Sequence, residues 1–273
     1  MEKSILIKPK KGLNSIDLKE MWRQKELFYF FTWRDLKVRY KQTAIGFLWA
    51  IFQPFIAMIV FSVFFGGLAN MPSDGIPYPI FVYVGLLLWQ FFSKSISAAS
   101  NSLISNKSII TKAYFPRLIL PTSSIITNFI DFLIASGILV GLMVYYSYSP
   151  NMVGLLIIPL LLVITFLVAM GVGLLLAAIN VKYRDVRHVL PFFIQMLLFV
   201  TPVIYPTSIL QNYSWILAIN PMTGVIKASR AAILGTASID WTLLLISGIS
   251  SIILFFAGLI YFKKTEKNFT DII

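Results

Sequence analysis

Six stretches of this chain are apolar over lengths that match a bilayer, and each is bounded by polar or turn-forming residues. A helical crossing takes about 20 mostly apolar residues, since a rise of ~1.5 Å per residue must cover a hydrocarbon core roughly 30 Å thick. Residues 44–69 carry no charge and run into Asn70, Met71, Pro72, Ser73, Asp74 and Gly75. A second stretch starts after Pro79, a residue tolerated in a first helical turn, and reaches Ser105 with Lys94 as its one charge. The third, 118–148, holds only Asp131 as a charge and ends in an aromatic, turn-forming run from Tyr145 to Asn151. The fourth, 152–181, is charge-free, and Pro159 is expected to kink it. The fifth lies around 186–204, and the sixth is the 22-residue run from Trp241 to Phe262. The pattern predicts an all-α polytopic membrane protein with six transmembrane helices in a domain spanning 44–273.

Two shorter apolar pieces, about 208–219 and 222–234, flank Asn220 and Pro221 between the fifth and sixth spans. Neither can cross a bilayer. Their lengths suit a re-entrant or interfacial helix pair, and irregular backbone at membrane depth is tolerated only where protein or water covers it. The alternative is a loop with two surface turns.

The leader, 1–43, is polar and charged. Asp17 followed by Glu20 reads as a capping box, with Leu18, Met21, Trp22 and Phe28 near one face and Lys19, Arg23 and Glu26 mostly on the other. From Trp33 to Tyr40 the apolar Trp33, Leu36 and Tyr40 alternate with Arg34, Lys37, Arg39 and Lys41, as in an amphipathic helix lying against phospholipid headgroups. It is either a simple anchor or a rigid element carrying force from a cytoplasmic partner into the first span. The leader is too charged for a removable signal, and its acidic residues set it apart from a mitochondrial presequence.

Charge fixes the expected orientation. Residues 1–43 hold 11 Lys or Arg, while 104–118, 180–190 and the tail 263–273 hold 3 each. The segments on the other side hold only Lys227 and Arg230. By the positive-inside rule both termini are cytoplasmic. The net charge of +12 is therefore mostly topological and calls for no nucleic-acid partner.

Composition narrows the chemistry. Residues are 58% hydrophobic and only 12% charged, with a mean hydropathy of +0.82, which excludes a water-exposed globular surface. There is no cysteine and one histidine, His188, so thiol catalysis, disulfides and imidazole metal clusters are excluded and no metal site is expected. No Gly-x-x-x-x-Gly-Lys-Ser/Thr loop occurs; ATP, if it drives this protein, must be bound with Mg by another chain, and no cofactor is expected on this one. The spans lack a carboxylate pair or a Ser, His and Asp set, which argues against membrane-embedded hydrolysis or glycosyl transfer. Lys94 and Asp131 are expensive near the bilayer centre and are expected to face protein or water, pairing with each other or serving a proton relay in a secondary transporter. Gly171 and Gly173 are read as close helix packing, and Gly137 with Gly141 forms a Gly-x-x-x-Gly that permits it. Aromatics crowd the first, second and fifth spans. Most are lipid-facing or packing groups, but a pore-lining subset would offer flat faces on which sugar rings slide, the candidates being Phe47, Trp49, Phe52, Phe55, Phe192, Phe193 and Phe199.

Four motifs in order carry a family resemblance: Lys112, Ala113, Tyr114, Phe115, Pro116, Arg117 leading to Leu120, Pro121; then Asn180 to Val186; then Thr201, Pro202, Val203, Ile204, Tyr205, Pro206; then Asn220, Pro221, Met222. With the leader, six spans and hairpin, the chain resembles the permease subunit of bacterial ABC exporters of polysaccharides and polyol phosphates, of O-antigen, capsule or teichoic acid type. The resemblance implies a homodimer in the inner membrane, working with two copies of a separate nucleotide-binding ATPase. It implies that the leader helix and cytoplasmic loops dock on that ATPase, through Trp22, Arg23, Arg34, Tyr114, Arg117, Tyr183, Arg184, Asp185 and Arg187. It implies a pore at or near the dimer interface, gated externally by 208–234. The implied cargo is a polymer on undecaprenyl diphosphate. Arg34, Lys37, Arg39 and Lys41 stand where they could receive its diphosphate, although ordinary phospholipid contact explains them equally well. An ABC permease for a drug or small lipid is the near alternative, and a proton-coupled secondary transporter the distant one.

Overall fold

The computed structural model describes residues 22–41, 46–148, 152–183, 185–209, 219–235 and 238–269. All regular structure among these residues is helical. In chain order the elements are α1 (Lys25–Lys41), α2 (Leu48–Phe61) continuing as a π-helix (Ser62–Leu68), α3 (Tyr78–Ser105), the short α4 (Lys107–Ile110), α5 (Ile119–Tyr145), the short α6 (Met152–Leu155), α7 (Ile158–Lys182), α8 (Val186–Val200), α9 (Pro221–Leu234) and α10 (Trp241–Thr265). Among the described residues, five helices are long and apolar enough to cross a membrane: α2 with its π extension, α3, α5, α7 and α10.

Prolines set several boundaries. Pro79 lies in the first turn of α3, where its missing N–H leaves no bond unmade. Pro159, expected to kink the fourth span, occupies the first turn of α7 instead; the apolar stretch breaks into α6 and α7 around a turn at Leu156 and Ile157. The fifth stretch also ends early. Thr201, preceding Pro202, is forced to an extended conformation, so α8 stops at Val200 after 15 residues, short of a full crossing. Asn220 accepts a hydrogen bond from the Met222 amide, Pro221 starts α9, and Gly235, at φ 63°, ends it in the left-handed region. Residues 210–218, most of the first piece of the expected hairpin, and the capping box at Asp17 and Glu20 lie outside the described residues.

The bundle is built around α3, which is 83% buried over its most apolar window, against 17% for α2. α5 and α7 flank it, α10 packs along α7, and α9 inserts among α3, α7 and α10. Backbones meet where glycine permits. A β-carbon on Gly258 would lie 2.0 Å from the Gly171 carbonyl oxygen, and one on Gly173 would lie 2.8 Å from Ala99 Cβ, as close packing of the Gly171 and Gly173 motif requires. Gly137 and Gly141 meet nothing within 4 Å, so their spacing serves no contact within the described chain.

Three of the basic segments are joined at one end of the bundle. Phe31 of α1 packs against Phe115 of the α4–α5 connection, ring centres 5.7 Å apart and tilted, and Arg117 holds the Glu266 carbonyl beyond α10 at 2.5 Å. At the opposite end Tyr78 donates to the Ile204 carbonyl, and Lys227 pairs with Asp240 at 2.8 Å. α1 does not divide its faces cleanly: Phe31 and Thr32 are buried, yet Tyr29, Phe30, Trp33 and Val38 are all exposed.

Candidate functional site

At the basic end a cavity of about 880 Å3 opens between α1, α2, α3 and α5. Helical spacing builds its walls. α3 contributes Lys94, Ser97, Ala98, Asn101 and Ser105, and α5 contributes Ser124, Thr127, Asn128 and Asp131, each a one-face series of threes and fours. α1 closes the cavity with Arg34, Asp35, Val38 and Arg39, while Trp49, Ala50 and Gln53 of α2 complete it. The result is a polar vestibule cut into spans that are otherwise apolar.

The expected Lys94–Asp131 pair does not form. Asp131 instead takes Arg39 Nη1 on one carboxylate oxygen and the Tyr40 hydroxyl on the other, both from α1. Asn128 bridges the group: its Oδ1 accepts from Arg39 at 3.2 Å, and its Nδ2 donates to the carbonyls of Ser124 at 2.8 Å and Lys94 at 3.4 Å. Burial, reinforced by the hydrogen bond to Asp131, pushes the Tyr40 hydroxyl well above its ordinary pKa and keeps it a donor. Arg34 pairs with its neighbour Asp35 at 2.7 Å and lies over the Phe31 ring at 4.9 Å. The Lys94 ammonium has no hydrogen-bond or ion-pair partner among the described residues.

At the opposite end, Arg230 is the organising residue, and sequence reasoning passed over it. It is 5% exposed and points its guanidinium at the broken segment after α8. It donates to the carbonyls of Pro202 at 2.8 Å, Tyr205 at 3.3 Å and Val203, and to Phe81 O at 3.3 Å, and it covers the Phe81 ring at 3.7 Å. Asn220 Nδ2 donates to Thr201 Oγ1 at 2.7 Å. Two motifs singled out in the sequence, at 201–206 and 220–222, are thus one structural unit: non-helical carbonyls satisfied by a buried arginine, with Asn220 tying the start of α9 to the Thr201 hydroxyl. The signal was available, as a lone arginine inside an apolar stretch is costly without a specific partner.

Of the expected ATPase-contact residues, Trp22, Arg23, Tyr114, Tyr183, Asp185 and Arg187 are exposed, Tyr114 at 89%. Arg117 is turned inward, its guanidinium on the Glu266 carbonyl and 5.8 Å from the Phe269 ring. Arg34 lines the vestibule, and Arg184 lies outside the described residues. Lys37, Arg39 and Lys41 are all exposed on α1, and Arg39 also reaches Asp131. Of the aromatic candidates, Phe47, Trp49 and Phe52 are exposed at or near the start of α2, Phe55 is half-buried, and Phe192, Phe193 and Phe199 are exposed on α8. Both helices pack on α3.

The sequence profile of the ABC-2 type transporter family matches residues 26–234, more than half of the chain, which therefore belongs to that family. The chain is 29% identical over 259 residues to the O-antigen export system permease protein RfbA of Myxococcus xanthus, covering 93% of this chain and 98% of that one. The protein of the same name from Klebsiella pneumoniae is 28% identical, covering 91% and 95%. The polysialic acid transport protein KpsM of Escherichia coli is 24% identical, covering 86% and 91%.

Proposed function

We propose that this ABC-2 family member is the membrane subunit of an exporter of a lipid-linked polysaccharide, driven by ATP hydrolysed on a separate chain. Relatives named for O-antigen export and polysialic acid transport align along nearly the whole chain, which supports a saccharide polymer over a drug or small lipid. The observation that carries the reading is the vestibule: a cation-bearing opening at the basic end, lined by polar side chains of α3 and α5 and by α1, which packs on α5. An undecaprenyl diphosphate head would enter there, met first by the exposed Lys37 and Lys41. A cargo without an anionic group would leave the cations of this lining unused.

In this reading the chain sits in the bacterial inner membrane with its basic end and both termini cytoplasmic. α8 with the buried segment 201–206 completes a sixth crossing, and α9 is the inner half of a re-entrant pair gating the external mouth. Two copies of the chain line the pore, bringing the exposed aromatics of α2 and α8 towards the polymer, and two ATPase copies dock on α1, the α4–α5 connection and the loop through Tyr183 and Asp185. Reconstitution with and without the ATPase tests it: lipid-linked polymer should cross only when both proteins and ATP are present.

A further inference from the structure

We propose that the vestibule holds a phosphate-binding site whose receptor is Lys94, and that Arg39 and Tyr40 create it by occupying Asp131. The proposal deepens the export reading and rests on it for the identity of the ligand, the phosphate ester of a lipid-linked cargo.

The charges that face the cavity are Arg34, Arg39 and Lys94 against Asp35 and Asp131. Arg34 is taken by Asp35 and Arg39 by Asp131, with Tyr40 filling the second Asp131 oxygen. One cation remains. Lys94 lines the opening of about 880 Å3 and makes no hydrogen bond or ion pair among the described residues, since the carboxylate nearest in charge, Asp131, is held by Arg39 and Tyr40. A lysine on a membrane helix is costly unless an anion or water compensates it. An ammonium is a compact point charge suited to a phosphate oxygen, and the cavity has room for a diphosphate with its hydration. Asn128 ties the parts together, since it holds Arg39 on one side and the Lys94 backbone on the other. Were α1 to lift, Asp131 would be released to neutralise Lys94 and the site would close.

The chain contains no cysteine, so Ser97→Cys, one turn from Lys94, gives a single reporter thiol in the cavity wall. With the full chain in phosphatidylcholine nanodiscs, inorganic pyrophosphate should slow reaction of that thiol with a neutral maleimide. Lys94→Gln should weaken this protection roughly tenfold or more, as expected for loss of a charge-assisted contact, and Lys94→Arg should keep most of it. Arg39→Gln should also weaken it by freeing Asp131. The double variant Arg39→Gln with Asp131→Asn should restore it, whereas Lys94→Gln with Asp131→Asn, which has the same net charge, should not; equal recovery in both would overturn the proposal. Protection indifferent to Lys94→Gln, or matched by acetate, overturns the proposal. Protection by added phosphatidylglycerol but not by pyrophosphate assigns the cavity to an ordinary phospholipid head and overturns it too. A chain that binds pyrophosphate through Lys94 yet moves no polysaccharide with its ATPase refutes the export reading and leaves the site standing.

Discussion

Gly85 lies where any side chain would strike Arg230: a β-carbon there would stand 2.8 Å from Nη2 of that guanidinium and 2.9 Å from the Val203 carbonyl oxygen. The glycine opens the space on α3 through which α9 reaches the broken segment after α8. Arg230→Met strips hydrogen bonds from buried carbonyls of Pro202, Val203 and Tyr205, at a cost on the order of 3 kcal/mol. Arg230→Lys fares little better, because one ammonium cannot reproduce the planar fork. Gly85→Ala displaces the fork and costs about 1–3 kcal/mol. Thermal unfolding in detergent measures all three; a Met variant as stable as the parent would refute the clamp.

Glycines in α7 and α10 separate from those in α5. Gly258→Ala drives a methyl group into the Gly171 backbone and should cost about 1–3 kcal/mol. Gly137→Ala meets nothing within 4 Å and should be neutral or gain up to ~1 kcal/mol from helix propensity. Titration with a denaturing detergent gives the order. Equal losses would mean that the α7–α10 backbone contact is not what sets the cost.

Exposure splits the expected ATPase contacts into two kinds. Tyr114 is 89% exposed and Tyr183 53%, so Tyr114→Ala and Tyr183→Ala should leave the unfolding free energy within about 0.5 kcal/mol of the parent while lowering polymer-coupled ATP hydrolysis. Arg117→Ala should do the reverse first, loosening the segment after α10 that it holds through Glu266 and Phe269. Measuring both quantities on each variant decides it; normal coupling in both tyrosine variants would remove them from the docking surface.

The long helices were legible because hydropathy reports what a lipid core selects. The stretch from Pro79 to Ser105 matches α3 almost to the residue, and Trp241 begins α10 as expected. Proline was harder. Pro159 reads as a kink until the turn at Leu156 and Ile157 is known, and the apolar residues Val203 and Ile204 read as span until Thr201 turns extended before Pro202. The partners of Asp131 were hidden for a different reason. Arg39 and Tyr40 lie more than 90 positions away on a helix whose composition suggested lipid contact, and no periodicity encodes which face of α1 meets α5. Arg230 was visible as a charge but was counted for topology, not asked what it bonds.

Acidification should touch the opposite end at one known point. Asp240, which caps α10, is held below the usual carboxylate range, first by the hydrogen bond from Lys227 and then by the Leu243 amide. A carboxyl depressed in the folded state stabilises above its unfolded pKa of about 3.9, and the contribution disappears as pH falls through the lower folded value. Unfolding temperatures should therefore carry this contribution in full, with no pH dependence from this group, between about pH 7 and 5, and fall below about pH 4. Asp240→Asn should flatten that acid limb, by no more than ~1 kcal/mol at so exposed a pair. An identical acid limb in the variant would contradict the assignment.

The measurement closest to the central claim is transport of a labelled lipid-linked polysaccharide in vesicles holding this chain, with and without a partner ATPase. The account predicts movement only when the ATPase and ATP are both supplied, and none under an imposed proton gradient alone. Movement by the isolated chain in that gradient, abolished by Asp131→Asn, would contradict it.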